Sequence, residues 1–90
     1  RNSFLHKTQT ITNELDLRGE RAYDAVMELD LFLADASLAG LEGIRIIHGK
    51  GTGALRQAIH EYLKTQTWIK RYYQPGPEEG GHGVTIVEFK

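Results

Sequence analysis

The stretch GIRIIHGKGTGALRQAI, residues 43–59, holds three glycines within five positions, Gly49, Gly51 and Gly53, between two unlike flanks. Upstream, residues 43–49 are isoleucine-rich and short, the composition of a β-strand. Downstream, Leu55, Ala58, Ile59, Tyr62 and Leu63 recur at helical spacing and predict a helix over 54–66. Arg56, His60 and Lys64 fall on its opposite, solvated face, and Thr52 is a candidate N-cap. A strand that enters a helix through a short turn belongs to a βαβ pattern, so a further strand and helix are expected upstream.

Residues 14–19, ELDLRG, supply the strand. Leu15 and Leu17 point one way, Asp16 and Arg18 the other, and Gly19 ends the run. Residues 20–39 read as a helix with a core stripe of Ala22, Val26, Leu29, Leu33 and Ala36, stopped by Gly40. Glu20, Asp24 and Glu28 share another face, where early acids suit the positive end of the helix dipole. Met27 and Leu31 lie off the stripe, either exposed or against another part of a parent protein. A third strand is expected over 68–73, with Trp68 packed at the hairpin. Residues 74–83 hold both prolines and four of the ten glycines, the composition of a mobile loop. Residues 84–90 alternate as a last strand. The predicted order is β-α-β-α-β-β. This is an α/β two-layer sandwich: a four-stranded mixed sheet with both helices on one face and the other face partly open. The two crossovers through helices give right-handed connections and parallel strands, and the last loop gives an antiparallel hairpin. Residues 1–13 read as a tail or linker, in which Phe4 and Leu5 are candidates to dock and Ile11 to start an extended segment.

Ninety residues make one domain with a modest core. The absence of cysteine excludes disulfides and thiolate metal sites. No apolar run approaches the ~20 residues of a membrane span. No signal peptide is visible, and a cytoplasmic setting is expected. The chain starts at Arg1, which is read as a piece of a longer protein. Its 11 basic and 12 acidic residues leave a net charge of −1, so the chain lacks the overall basic balance of many nucleic-acid binders. Arg18, Arg21, Lys50 and Arg56 nevertheless flank the two glycine turns, where a local basic patch can form.

The glycine turn has two readings. In one it is a phosphate cradle. Gly49, Gly51, Thr52 and Gly53 offer backbone amides, the helix near Ala54 adds its positive end, and Lys50 and Arg56 add charge. His48 then donates a hydrogen bond or moves a proton. In the plainer reading the turn needs positive φ at two or three positions. Asp16 and Arg18 are similarly either a proton acceptor and a phosphate clamp, or an exposed charged pair. Parallel first and second strands bring Asp16, Arg18, His48 and Lys50 to one sheet edge although about 30 residues separate the two motifs. His6, His60 and His82 are scattered and are not expected to bind metal. Lys70, Arg71, Tyr72 and Tyr73 interleave base and aromatic, as nucleic-acid-binding strands do, or form an amphipathic strand with one tyrosine buried.

ELDLRG, followed by LAGLEGIRIIHGKGTGALRQAI and then GVTIVEF, resembles the Smr (small MutS-related) domain from about Glu14 to Lys90. The arginine form LDLRG is similar to the version at the C-terminus of a bacterial MutS paralogue linked to suppression of recombination. Other members more often carry histidine at the position of Arg18. The resemblance implies a fold like the C-terminal domain of translation initiation factor three. It implies nicking endonuclease activity on DNA, with branched or recombination-intermediate substrates, within a larger, dimeric, MutS-like ATPase. Asp16, Arg18, His48 and Lys50 are the expected catalytic residues. Gly49, Gly51, Thr52, Gly53, Arg56 and Arg21 are the expected phosphate-binding ones. Arginine at position 18 suits an electrostatic clamp rather than acid–base work. A divalent cation (Mg or Mn) is an optional cofactor, although one obvious carboxylate gives no support to a two-metal site. The competing class is a nucleic-acid or ribosome binding module, acting on RNA or stalled ribosomes with little chemistry of its own. A third reading is a protein-interaction domain using the surface around Met27 and Leu31.

Overall fold

A computed structural model describes residues 13–90. Its elements are β1 (Glu14–Asp16), α1 (Ala22–Leu38), β2 (Gly43–Ile47), α2 (Ala54–Lys64), β3 (Ile69–Tyr73) and β4 (Val84–Phe89), with two short 3-10 turns at Pro77–Glu79 and Gly81–Gly83. The sheet order is β1-β2-β4-β3. β1 runs parallel to β2, while β4 is antiparallel to both β2 and β3. β2 and β3 therefore share a direction, as the helix crossover requires, but β4 is inserted between them. The expected four-stranded mixed sheet is present with this order. The tail expected over 1–13, with its Phe4, Leu5, His6 and Ile11, lies almost wholly outside the described residues.

Register sorts the side chains by face. Leu15 lies opposite Ile46, Ile46 opposite Thr85, Ile44 opposite Val87, and Val87 opposite Tyr72. With a side-chain period of two, this set shares one face. Leu29 and Leu33 of α1 and Ile59 and Leu63 of α2 complete the core against it. Such fully buried aliphatic side chains contribute about 1.5–3 kcal/mol each by leaving water. Asp16, Arg45, Ile47, Arg71, Tyr73, Ile86 and Glu88 fall on the other, partly open face.

The helix stripes need one correction. Ala22 is exposed and Ala25 takes its place in the core. Position 22 opens the helix and faces away, whereas 25, 29, 33 and 36 keep the three- and four-residue rhythm. Met27 and Leu31 are exposed, as their off-stripe positions imply, and Tyr23 and Leu38 join them. α1 closes as its glycine predicts. Gly40 has φ +78°, its amide bonds the Ser37 carbonyl, and the Leu41 amide bonds that of Ala36, the paired arrangement of a left-handed C-cap. At the same end of the sheet, Trp68 stacks at 5.3 Å on Phe89. Arg71 pairs with Glu88 and lies over Tyr73, while Tyr72 is half-buried, so the amphipathic reading of β3 holds. Residues 74–83, read as a loose loop, instead build both 3-10 turns, and Pro75, Gly81 and Gly83 are buried.

Candidate functional site

β2 ends at Ile47, and the chain must turn sharply to start α2 at Ala54. Gly49, Gly51 and Gly53 make that turn with φ of +80°, +37° and +87°, all in the region that side chains disfavour. A Cβ on Gly51 or Gly53 would meet nothing within 4 Å. These two glycines therefore serve the backbone path, and the space beside them is open. Gly49 differs, because a Cβ there would sit 3.3 Å from Arg18 Cγ. Gly53 is the N-cap of α2 in place of the expected Thr52. Thr52 stands one residue too early, and its hydroxyl accepts the Ala54 amide at 3.3 Å.

The loop is tied down at one end only. The amides of His48 and Gly49 both donate to the Gly83 carbonyl at 3.0 Å, and Gly53 donates to Lys50 at 3.1 Å. The amides of Lys50, Gly51 and Thr52 donate to no backbone carbonyl among the described residues. The first helical bond of α2 runs from Gln57 to Gly53, so the amides of Leu55 and Arg56 in its first turn have no helical acceptor. These groups border a cleft of about 310 Å³ lined by Glu20, His48, residues 49–55 and Arg56. Arg56 is half-buried there, and its Nε is buried with no hydrogen-bond partner among the described residues.

A second cleft, of about 380 Å³, opens on the other side of the loop and is lined by Arg18, Arg45, Ile47, Gly49, Lys50, Gly80, Gly83 and Val84. The predicted site is thus brought to one sheet edge but divided by the loop. His48 and Arg56 face the first cleft, Arg18 the second, and Gly49 and Lys50 border both. Asp16 lines neither. It grips the Arg18 guanidinium with two contacts of 2.7 and 3.0 Å and also accepts the Arg18 amide. Those bonds hold its carboxyl down to about 2, a weak base by nature. Arg21 is the exposed N-cap of α1 and lines neither cleft. His82 is likewise exposed and borders neither.

Three groups at the site, His60, Thr85 and Glu20, escaped the sequence reading. His60, expected on a solvated helix face, points inward. Its Nε2 lies 2.8 Å from Thr85 Oγ1, and its ring meets Tyr72 edge-on at 5.1 Å. Thr85 is fully buried and also lies 2.9 Å from His48 Nε2. The alternation of residues 84–89 puts Thr85 on the core face with Val87, which was the available signal. Glu20 is the third. Read only as a dipole-matched acid, it borders the first cleft, and its carboxyl is raised by Glu28 and by its partial burial, with Asp24 adding to the repulsion.

Burial lowers both histidines below their ordinary value; a hydrogen bond to the Gly49 carbonyl partly opposes this at His48, and Arg56 lowers both further. Among the described residues no three His, Cys, Asp or Glu side chains converge as a metal-binding group. The two carboxylates of the strand motif are each engaged by an arginine, Asp16 by Arg18 and Glu14 by Arg45. No helix among the described residues is long and apolar enough to cross a membrane.

Comparison with known proteins agrees with this picture. The Smr domain family model matches residues 15–90. The chain is 54% identical over 80 residues to the Endonuclease MutS2 of Listeria welshimeri, covering 89% of this chain and 10% of that protein. It is 47% identical over 88 residues to the Endonuclease MutS2 of Brevibacillus brevis, covering 98% of this chain and 11% of that protein. The chain therefore spans about a tenth of the length of these relatives. The crystal structure of the Smr domain of Thermus thermophilus MutS2 superposes with a TM-score of 0.84 at 46% identity, over 88% of this chain and 99% of that one. YdaL, a stand-alone small MutS-related protein from Escherichia coli, shares the fold with a TM-score of 0.81 at 22% identity, over 100% of this chain and 76% of its own. Matched by the family model over residues 15–90 and superposing on a solved Smr domain, this chain belongs to the Smr domain family.

Proposed function

We propose that this chain is the nicking endonuclease domain of a larger, dimeric, MutS-like ATPase and hydrolyses phosphodiester bonds in DNA, with branched recombination intermediates as substrates. One observation carries the reading: three successive amides without backbone partners, Lys50 to Thr52, border the same cleft as the unpartnered Nε of Arg56. Amides that converge from a loop and a helix start, beside a guanidinium, suit a phosphate group. The endonuclease name of the relatives supports the chemistry.

In this reading the phosphodiester sits over residues 50–53. Lys50 and Arg56 stabilise the charge that grows on the phosphoryl oxygens in the transition state, and Arg18, across the loop, meets a neighbouring phosphate of the same strand. Asp16 keeps Arg18 aimed. Glu20, with its raised carboxyl, takes a proton from the attacking water as the new P–O bond forms. His48, as a neutral ring, holds the loop beside the leaving oxygen, which takes its proton from solvent as the old P–O bond breaks. No step is routed through a metal ion.

A second reading has its own support. Both ring nitrogens of His48 already have internal partners, and Asp16 is engaged by Arg18. A domain with its proton carriers so occupied suits binding of RNA or stalled ribosomes through Lys50 and Arg56. Nicking of supercoiled plasmid separates the two. The test compares the chain with its His48→Ala, Glu20→Gln and Asp16→Ala variants, with and without chelator. Relaxed circles from the wild type, lost with His48→Ala and Glu20→Gln, are expected. Equal nicking in every lane, or none with DNA still bound, contradicts the endonuclease reading, and the second outcome favours the binding module.

A further inference from the structure

A chain of three side chains runs under the glycine loop. His60 Nε2 and His48 Nε2 lie 2.8 and 2.9 Å from the single hydroxyl of Thr85, and His48 Nδ1 lies 2.9 Å from the Gly49 carbonyl. The bonding partners fix the direction of every proton. A carbonyl oxygen only accepts, so His48 Nδ1 carries hydrogen. A neutral ring then has a bare Nε2, and Thr85 must donate its hydroxyl proton to it. The Thr85 oxygen is left to accept, and His60 Nε2–H donates to it. Every group in the buried chain is satisfied in this one arrangement, and reversing any bond leaves two lone pairs or two protons facing each other.

We propose that Thr85 and His60 are positioning residues that hold His48 as the Nδ1–H tautomer and, through its bond to the Gly49 carbonyl, set the attitude of the glycine loop. The peptide plane makes the link. Gly49 C=O and Lys50 N–H are trans across one planar amide, so a carbonyl turned to the His48 ring turns the next amide away from it. The tautomer also puts the imidazole proton on the nitrogen beside the loop. That part deepens the endonuclease reading and rests on it, whereas the loop-setting part does not. The groups facing the two rings agree with a neutral chain. Arg56 and Lys64 of α2 lie on the His60 side, Arg56 also faces His48, Tyr72 of β3 closes the far side of His60, and burial disfavours charge on both rings. A hydrogen-bonded partner of this kind can hold a catalytic imidazole in one tautomer and orientation.

The test reads tautomers directly. Long-range proton–nitrogen correlation spectra of the 15N-labelled chain at neutral pH are expected to show His48 as pure Nδ1–H and His60 as pure Nε2–H. His48 found as Nε2–H, as a mixture, or as a cation overturns the proposal. Thr85→Val should return both rings to mixtures and lower the plasmid-nicking kcat by about 10- to 100-fold with KM little changed, and Thr85→Ser should restore both readouts. A Thr85→Val variant that keeps the His48 tautomer also overturns the proposal. If the valine variant does not fold, the spectra of the wild type and of Thr85→Ser still decide it. Correct tautomers in a chain that never nicks leave the positioning role standing and remove the endonuclease reading instead.

Discussion

Lys50 and Arg56 differ from three of the domain's arginines in what they face. Arg18, Arg45 and Arg71 are each spent on a carboxylate, Asp16, Glu14 and Glu88 respectively. Lys50 and Arg56 form no ion pair among the described residues. A chain with a net charge of −1 can still hold an anion if its unneutralised cations share one cleft with free amides. Lys50→Ala is therefore expected to lower nicking by about 10²-fold, the usual effect of losing one stabiliser of developing charge. Arg71→Ala, remote and paired, should leave it within a factor of two or so on the same scale. Plasmid relaxation by both variants checks the contrast. The residue scale is also where the sequence was hardest to read. Spacing alone put His60 on the outer face of its helix, because α2 is covered on two sides and periodicity reports only one. Asp16 and Arg18 were legible as a pair on one strand face, but their mutual grip, which weakens Asp16 as a base, needed coordinates.

At the scale of elements, the glycine turn and the two helices make separable demands. Gly53 has φ +87° and open space where a Cβ would go. Gly53→Ala should thus cost about 1–2 kcal/mol through backbone strain alone, seen as a melting temperature lower by roughly 4–8 °C per kcal/mol in a domain of this size. In α1, Leu33 is fully buried and Leu31 is 67% exposed. Leu33→Ala should cost about 2–5 kcal/mol and Leu31→Ala less than about 0.5 kcal/mol, which urea unfolding of both variants distinguishes. Every helix and strand was legible, because each shows its apolar pattern and glycines stop β1 and α1 and mark the turn after β2. The order of the strands was not. ELDLRG, GIRIIHG, WIKRYY and VTIVEF alternate or run apolar in ways that fit several pairings, and only the core decides that β4 enters between β2 and β3. Thr85 became informative only once that insertion placed it over His48.

For the whole molecule, the buried histidines tie stability to pH. Both His48 and His60 have values lowered from the ordinary 6.5. As pH falls below about 6.5 the unfolded chain takes up protons that the folded chain still refuses, so folding loses stability until the folded-state values are passed. Thermal melts of the wild type from pH 8 to pH 5 should show that decline, and His60→Gln should flatten it. Melting temperatures that stay level across the window would mean that the two rings titrate normally. The whole-molecule view also explains why the site sits where it does. One parallel pair, β1 and β2, sends both motif-bearing strand ends to a single edge, and the chain's remaining turn, Gly81–Gly83, buttresses the loop from beneath through the Gly83 carbonyl.

The most direct test of the glycine loop as the phosphodiester site is to follow the backbone amides while a short DNA duplex is added. The Lys50, Gly51 and Thr52 amides are expected to shift first and furthest, Arg56 Nε to move with them, and Lys50→Ala to weaken the titration. Shifts centred on the exposed Tyr23, Met27 and Leu31 face of α1, with residues 50–52 unmoved, would contradict a phosphodiester site at the loop.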